Sequence, residues 1–241
     1  MAHDDVIAPE YLERCVAALD REPDAVLAQP LVGVIDAKGN VLSIHDNGLK
    51  RASSPRVSER FAHLVKLPRH NWEVFGLTRR EVLARTALHA PYSWSDLALT
   101  IELALQGRFI LVPEPLFFNR DHPERFSQAV VVDREKCWQW WCNSGETARF
   151  SQLCPTWQLQ ADYARIIRRH VPHPWTRLRL YLGLLSHVLE RNTLSRLIIE
   201  PITAIDPRIL AAGRRIKRLL HFRKTSGFGA TEVGVSPEAR K

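Results

Sequence analysis

The stretch PYSWSDLALTIELALQGRFILVPEPLFFNRDHPERFS, residues 91–127, runs through a loop, a helix and a strand in quick succession. Its first part, APYSWSD (90–96), is rich in aromatic and hydroxyl side chains and reads as a loop. LALTIELALQGR (97–108) then reads as a helix closed by Gly107. FILVPEPLFFNRDHP (109–123) reads as a buried strand, a turn punctuated by proline and a second strand. Apolar periodicity thus switches from helical spacing to a continuous run. That switch argues for helices packed on a sheet, an α/β architecture.

Working outward, residues 9–22 form an amphipathic pattern that stops before Pro23. VLAQPLVGVID (26–36) and VLSIHD (41–46), joined across AKGN, predict a β-hairpin. Residues 47–56 read as loop, and SERFAHLVK (58–66) as a short helix with Ser58 as its cap. NWEVFGLTR predicts a strand leading into the helix RREVLARTAL. Beyond residue 132 the pattern turns helical, with helices expected over 133–142, 156–170, 175–192 and 205–224. The glycine- and serine-containing end, 225–241, has the composition of a disordered tail. The expected organisation is therefore 1–132, an α/β part; 133–224, a basic helical part; and 225–241, a tail.

The chain of 241 residues is 45% hydrophobic, and no apolar run reaches the roughly 18 residues a membrane-spanning helix needs. Its net charge of +8 is unevenly spread. Residues 137–241 hold 17 Lys and Arg against 7 Asp and Glu, whereas residues 1–136 hold 17 against 19. A basic helical end suits an anionic membrane surface, nucleic acid or a solvated face. Cys137, Cys142 and Cys154 have a Cys-x4-Cys-x11-Cys spacing without a paired fourth ligand. Buried reduced thiols fit better than zinc, as in a cytoplasmic protein.

AHDDVIAPEYLERC (2–15) places two adjacent carboxylates, Asp4 and Asp5, ahead of a helix start. This segment resembles the central acidic loop of family-2 glycosyltransferases with the GT-A fold. DAVLAQPLVGVIDAKGNVL (24–42) resembles that family's next strand pair, and VFGLTRREVLART (74–86) the elements lining its acceptor side. Residues 91–127 resemble its catalytic-loop segment most closely. The motifs occur in the family's order and cover about residues 2–127.

The resemblance implies a partial GT-A fold, Rossmann-like and followed by helices. It also implies inverting transfer of a sugar from a nucleotide-sugar donor to a glycan or lipid-linked acceptor. Asp96 takes the position of the catalytic base that accepts the acceptor hydroxyl's proton. Asp4, with Asp5 beside it and His122 downstream, takes the position of ligands to a divalent metal, Mg2+ or Mn2+, which neutralises the departing diphosphate. The first aspartate of the family's acidic motif is Ala2 here, so that motif is incomplete. Tyr92 and Trp94 would form an aromatic platform for the acceptor. The structural alternatives are that Asp96 caps a helix, that Asp4 and Asp5 favour a helix N-terminus, that His122 is a surface histidine and that the aromatics pack the loop.

In the family, nucleotide-binding βαβ units precede the acidic motif. The chain is thus expected to begin in mid-domain and to show no transfer alone. A catalytically inactive remnant serving as an interaction module is the alternative, followed by a basic nucleic-acid-binding protein. The chain has no motif for reading specific nucleic acid. A cytoplasmic location, peripheral at the inner face of the membrane, is the expectation.

Overall fold

The computed structural model describes residues 4–46, 49, 52–66, 70–123, 125 and 153–205. In chain order the elements are β1 (Val6–Ile7), α1 (Tyr11–Arg21), β2 (Ala25–Ile35), β3 (Val41–His45) and α2 (Val57–Lys66). A 3-10 turn (Trp72–Phe75), β4 (Leu77–Thr78), α3 (Arg80–Leu83), α4 (Ser95–Gln106) and β5 (Arg108–Arg120) follow. Three further helices close the described chain: α5 (Pro155–His170), α6 (Pro174–Val188) and α7 (Arg191–Ile205). The fold is mixed α/β around one five-stranded sheet of order β1-β5-β2-β3, with β4 beside β3 on the outer edge of β2.

β2 and β5 are parallel along almost their whole length, and the crossover between them carries α2, α3 and α4. β1 and β3 are antiparallel to their neighbours. The expected hairpin of β2 and β3 is present. Its turn is built by Asp36, whose Oδ1 accepts bonds from the Lys38 and Asn40 amides at 2.8 and 2.9 Å, while Gly39 supplies φ +91.

Two apolar clusters lie against the sheet. Tyr11, Cys15 and Leu19 of α1 pack with Ala25, Ala28 and Val32 of β2 and with Val112, Leu116 and Phe117 of β5. The larger cluster takes Val26 and Leu27, most of α4, and Phe61 and Leu64 of α2. Consecutive Val26 and Leu27 enter one cluster because the β2–β5 register slips between Ala25 and Leu27. α4 is buried over nearly its full circumference, which explains why LALTIELAL is apolar all round.

The helical part shares this core. Leu159, Tyr163, Ile166 and Ile167 of α5 and Leu180 and Leu184 of α6 belong to the cluster built on α4. Residue 132 therefore marks a change in pattern, not a boundary between cores. No helix among the described residues is long and apolar enough to cross a membrane.

Several local expectations are corrected. The expected strand, turn and second strand are one long strand, Arg108–Arg120, because Pro113 and Glu114 make a bulge between the pairs Val112–Pro30 and Pro115–Leu31. The strand expected across NWEVFGLTR shrinks to the 3-10 turn and two residues of β4, because Asn71 sits in the left-handed region at φ 51. Ser58 lies inside α2 and does not cap it. The expected helices at 133–142 and over most of 205–224 lie outside the described residues, as does the tail. Gly107 does close α4, but with an extended backbone. It is required because a Cβ there would collide with the Val26 side chain and meet the Asp24 carbonyl at 2.9 Å.

Candidate functional site

Asp4 and His122 are brought together by antiparallel pairing. β1 pairs Val6 with Phe118 and Ile7 with Phe117. Continuing that register outward sets Asp5 opposite Asn119 and Asp4 opposite Arg120, with His122 just beyond. The side chains follow: Asp4 Oδ2 lies 2.7 Å from His122 Nε2, and each group is about one-fifth exposed. Arg120 clamps this corner, donating to the Asp4 carbonyl at 2.9 Å and to the Asp36 carbonyl at 3.0 Å. Nothing in the sequence singled out Arg120.

Asp5 has a different role from its neighbour. It is buried, and its Oδ1 accepts bonds from Asn119 Nδ2 at 2.9 Å and the Arg120 amide at 3.0 Å. Burial pushes its carboxyl above the usual range, while those two bonds oppose the shift. Oδ2 is buried without a partner among the described residues. The near oxygen of Asp5 is thus committed to β5. Among the described residues no group of three or more His, Cys, Asp and Glu side chains is gathered to hold a metal ion. Asp4 and His122 are a two-member donor set. Such a set fits a hard cation only if a diphosphate and water complete its shell.

Asp96 lies one position inside the start of α4, and its Oδ2 accepts a bond from Asn71 Nδ2 at 2.7 Å. Asn71 is itself buried and oriented, since its Oδ1 accepts the Thr100 hydroxyl at 2.9 Å. Asp96 Oδ1 makes no hydrogen bond among the described residues. The residue does not cap the helix. That position belongs to Trp94, at φ 74 with no side-chain cap bond. A bulky residue in the left-handed region is strained, and such strain gathers at functional sites.

The aromatic platform is corrected in part. Tyr92 is 1% exposed and donates its hydroxyl to Asp162 Oδ2 at 2.5 Å. It packs α5 against α4 and lines the cavity between those helices. Trp94 is partly exposed, but the Arg196 guanidinium of α7 sits 4.7 Å from its ring centroid and covers one face.

Asn71 holds Asp96, while the adjacent His70 stacks on Trp72 with centroids 4.5 Å apart.

A polar cluster between α4 and α5 carries no motif in the sequence. Glu102 is 2% exposed and accepts bonds from the Ala87 amide at 2.9 Å and, in the tautomer with hydrogen on Nε2, from His170 at 2.7 Å. A cavity of about 160 Å³ beside it is lined by Tyr92, Ser95, Glu102, Asp162, Arg165 and Arg169. Neither Asp96 nor the Asp4–His122 pair lines it. A lone Glu inside the apolar helix LALTIELAL was the available signal. Of the four cysteines, Cys15 and Cys154 are buried free thiols, while Cys137 and Cys142 lie outside the described residues.

No family model, no curated protein and no solved structure matches this chain.

Proposed function

We propose that this chain carries the metal-site and acceptor half of an inverting glycosyltransferase, moving a sugar from a nucleotide-sugar donor to a glycan or lipid-linked acceptor. One observation carries the reading. The Asp96 carboxylate is held through one oxygen by a buried, oriented Asn71, while its other oxygen is uncommitted beside a strained Trp94. A general base needs that combination of fixed direction and open lone pair. Inversion at the anomeric carbon requires one carboxylate to take the acceptor hydroxyl's proton as the sugar is attacked from the opposite face.

Asp4 and His122 supply two hard or borderline donors at 2.7 Å separation. They would hold a Mg2+ or Mn2+ ion that arrives with the donor diphosphate. The bound ion would supply neutralisation of negative charge on the leaving diphosphate. Arg120 keeps Asp4 in place from the carbonyl side. No residue of this chain is assigned to the nucleotide's base or ribose.

Product release from a panel of nucleotide sugars, with and without Mn2+, tests the reading. In a form that turns over, with the nucleotide-binding units of the family supplied, Asp96→Asn should lower kcat by about 10^2- to 10^4-fold with little change in donor KM. Asp4→Ala should remove the metal dependence of donor binding, which calorimetry reads even where turnover is absent. Normal turnover in Asp96→Asn, or unchanged Mn2+-dependent binding in Asp4→Ala, overturns the assignment.

The reading of an inactive remnant serving as an interaction module has its own support: the described residues gather no three-member donor group. That reading predicts no Mn2+-dependent donor binding by the unsubstituted chain.

A further inference from the structure

α6 is apolar on two sides. Leu180 and Leu184 enter the core, and Gly183 lets the helix approach Phe61 of α2. On the opposite side, Trp175, Leu178, Leu182, Leu185 and Leu189 are 70%, 46%, 56%, 52% and 62% exposed. Their spacings of three and four residues align them on one stripe. α7 repeats the pattern with exposed Leu194, Ile198, Ile202 and Ile205. Large apolar residues exposed in rows, not singly, mark a surface that something covers.

The charges around the stripe identify what covers it. α6 contains no acidic residue, and it carries Arg177 and Arg179. Arg179 is exposed and makes no ion pair among the described residues. Lys66 of α2 reaches the same margin, donating to Ser186 at 3.0 Å. The one carboxylate of α7, Glu200, is turned onto Thr156. The sequence that follows, 206–224, holds seven Lys and Arg against one Asp. Trp175 stands at the start of the stripe, where an amphipathic ring suits a water–lipid boundary. A second copy of this chain would set two cationic margins against each other, which disfavours pairing.

We infer that the outer faces of α6 and α7 form a docking surface for an anionic lipid bilayer. The apolar stripe enters the headgroup–acyl boundary, and Arg179 and Lys66 meet the lipid phosphates. The inference does not depend on the transferase reading.

Co-sedimentation of the full chain with vesicles tests it, using phosphatidylcholine alone or mixed with phosphatidylglycerol, at low and high NaCl. Binding is expected to the mixed vesicles and to weaken by at least about tenfold on neutral vesicles or in high salt. The double substitution Leu182→Glu, Leu185→Glu removes apolar area from an exposed face. It should lower the partition coefficient by about tenfold while circular dichroism and thermal midpoint stay unchanged. Loss of fold in that variant would be bypassed with Leu182→Ser, Leu185→Ser, for which a smaller loss of the same sign is expected. Three results overturn the inference. One is no binding to anionic vesicles, and another is binding unaffected by either substitution. The third is a dimer, seen by light scattering and broken by the substitutions, in a chain that does not bind vesicles.

Discussion

Asn71 links two demands that pull in different directions, a backbone at φ 51 and a side chain spanning Asp96 and Thr100. Asparagine tolerates the left-handed region better than most residues and carries both a donor and an acceptor. Asn71→Ala should therefore cost twice: strain at φ 51 and an Asp96 carboxylate without its orienting bond. If Asp96 is the base, kcat should fall about tenfold, with a shifted pH–rate profile and a smaller change in KM. Asn71→Asp places a second carboxylate against Asp96 and should shift that profile to higher pH. A merely structural Asn71 would lower stability and leave the profile where it was. Glu102 bears on stability. Ala there strips partners from His170 and the Ala87 amide at a buried position, for a loss of about 3 kcal/mol in denaturant unfolding.

At the scale of elements, α4 and β5 meet at Gly107, where there is no room for a side chain. Gly107→Ala should destabilise the fold by about 1–3 kcal/mol, read as a shift in denaturation midpoint. The cause is overpacking against Val26, since the extended backbone suits any residue. α7 meets α5 through Glu200, which accepts bonds from the Thr156 amide at 2.9 Å and hydroxyl at 2.5 Å. Burial raises the Glu200 pKa, opposed by the two Thr156 bonds. A carboxyl raised above its unfolded value of about 4.5 disfavours the folded state when ionised. That cost is full above the folded pKa and is relieved as pH falls toward 4.5. Glu200→Gln keeps the acceptor and removes the charge. It should match or exceed the parent's thermal midpoint at pH 7, with the advantage shrinking on acidification. A Glu200→Gln chain that loses stability at pH 7 would show that the charge itself is needed there.

For the whole molecule, the helices after residue 152 complete the core that α4 begins. A version ending at residue 132 would expose the α4 face that Leu159, Tyr163, Ile167 and Leu180 cover. It should bind a hydrophobic dye and unfold without a cooperative transition, although its sheet is complete. A sharp transition in that version would restore the two-part division that the sequence pattern suggests.

Local residue chemistry made some of this legible in advance. The Asp36–Asn40 turn, the paired apolar runs of β2 and β3, and the apolar span of α4 are local patterns, so sequence determined the hairpin, the helix and the α/β class. α7 escaped notice because Pro201 and its isoleucines argue against a helix that packing on α5 nonetheless supports. Asp96 and Asp4 could be singled out by residue type and motif order. What each carboxylate does depended on partners far along the chain. Asp5 turns inward because the β1–β5 register sets it opposite Asn119, 114 positions away. Tyr92 is buried because Asp162, 70 positions on, takes its hydroxyl. Strand register and helix packing bring such pairs together, and neither leaves a trace in local spacing. Tertiary structure alone therefore decided which of these side chains are available for chemistry and which hold the fold.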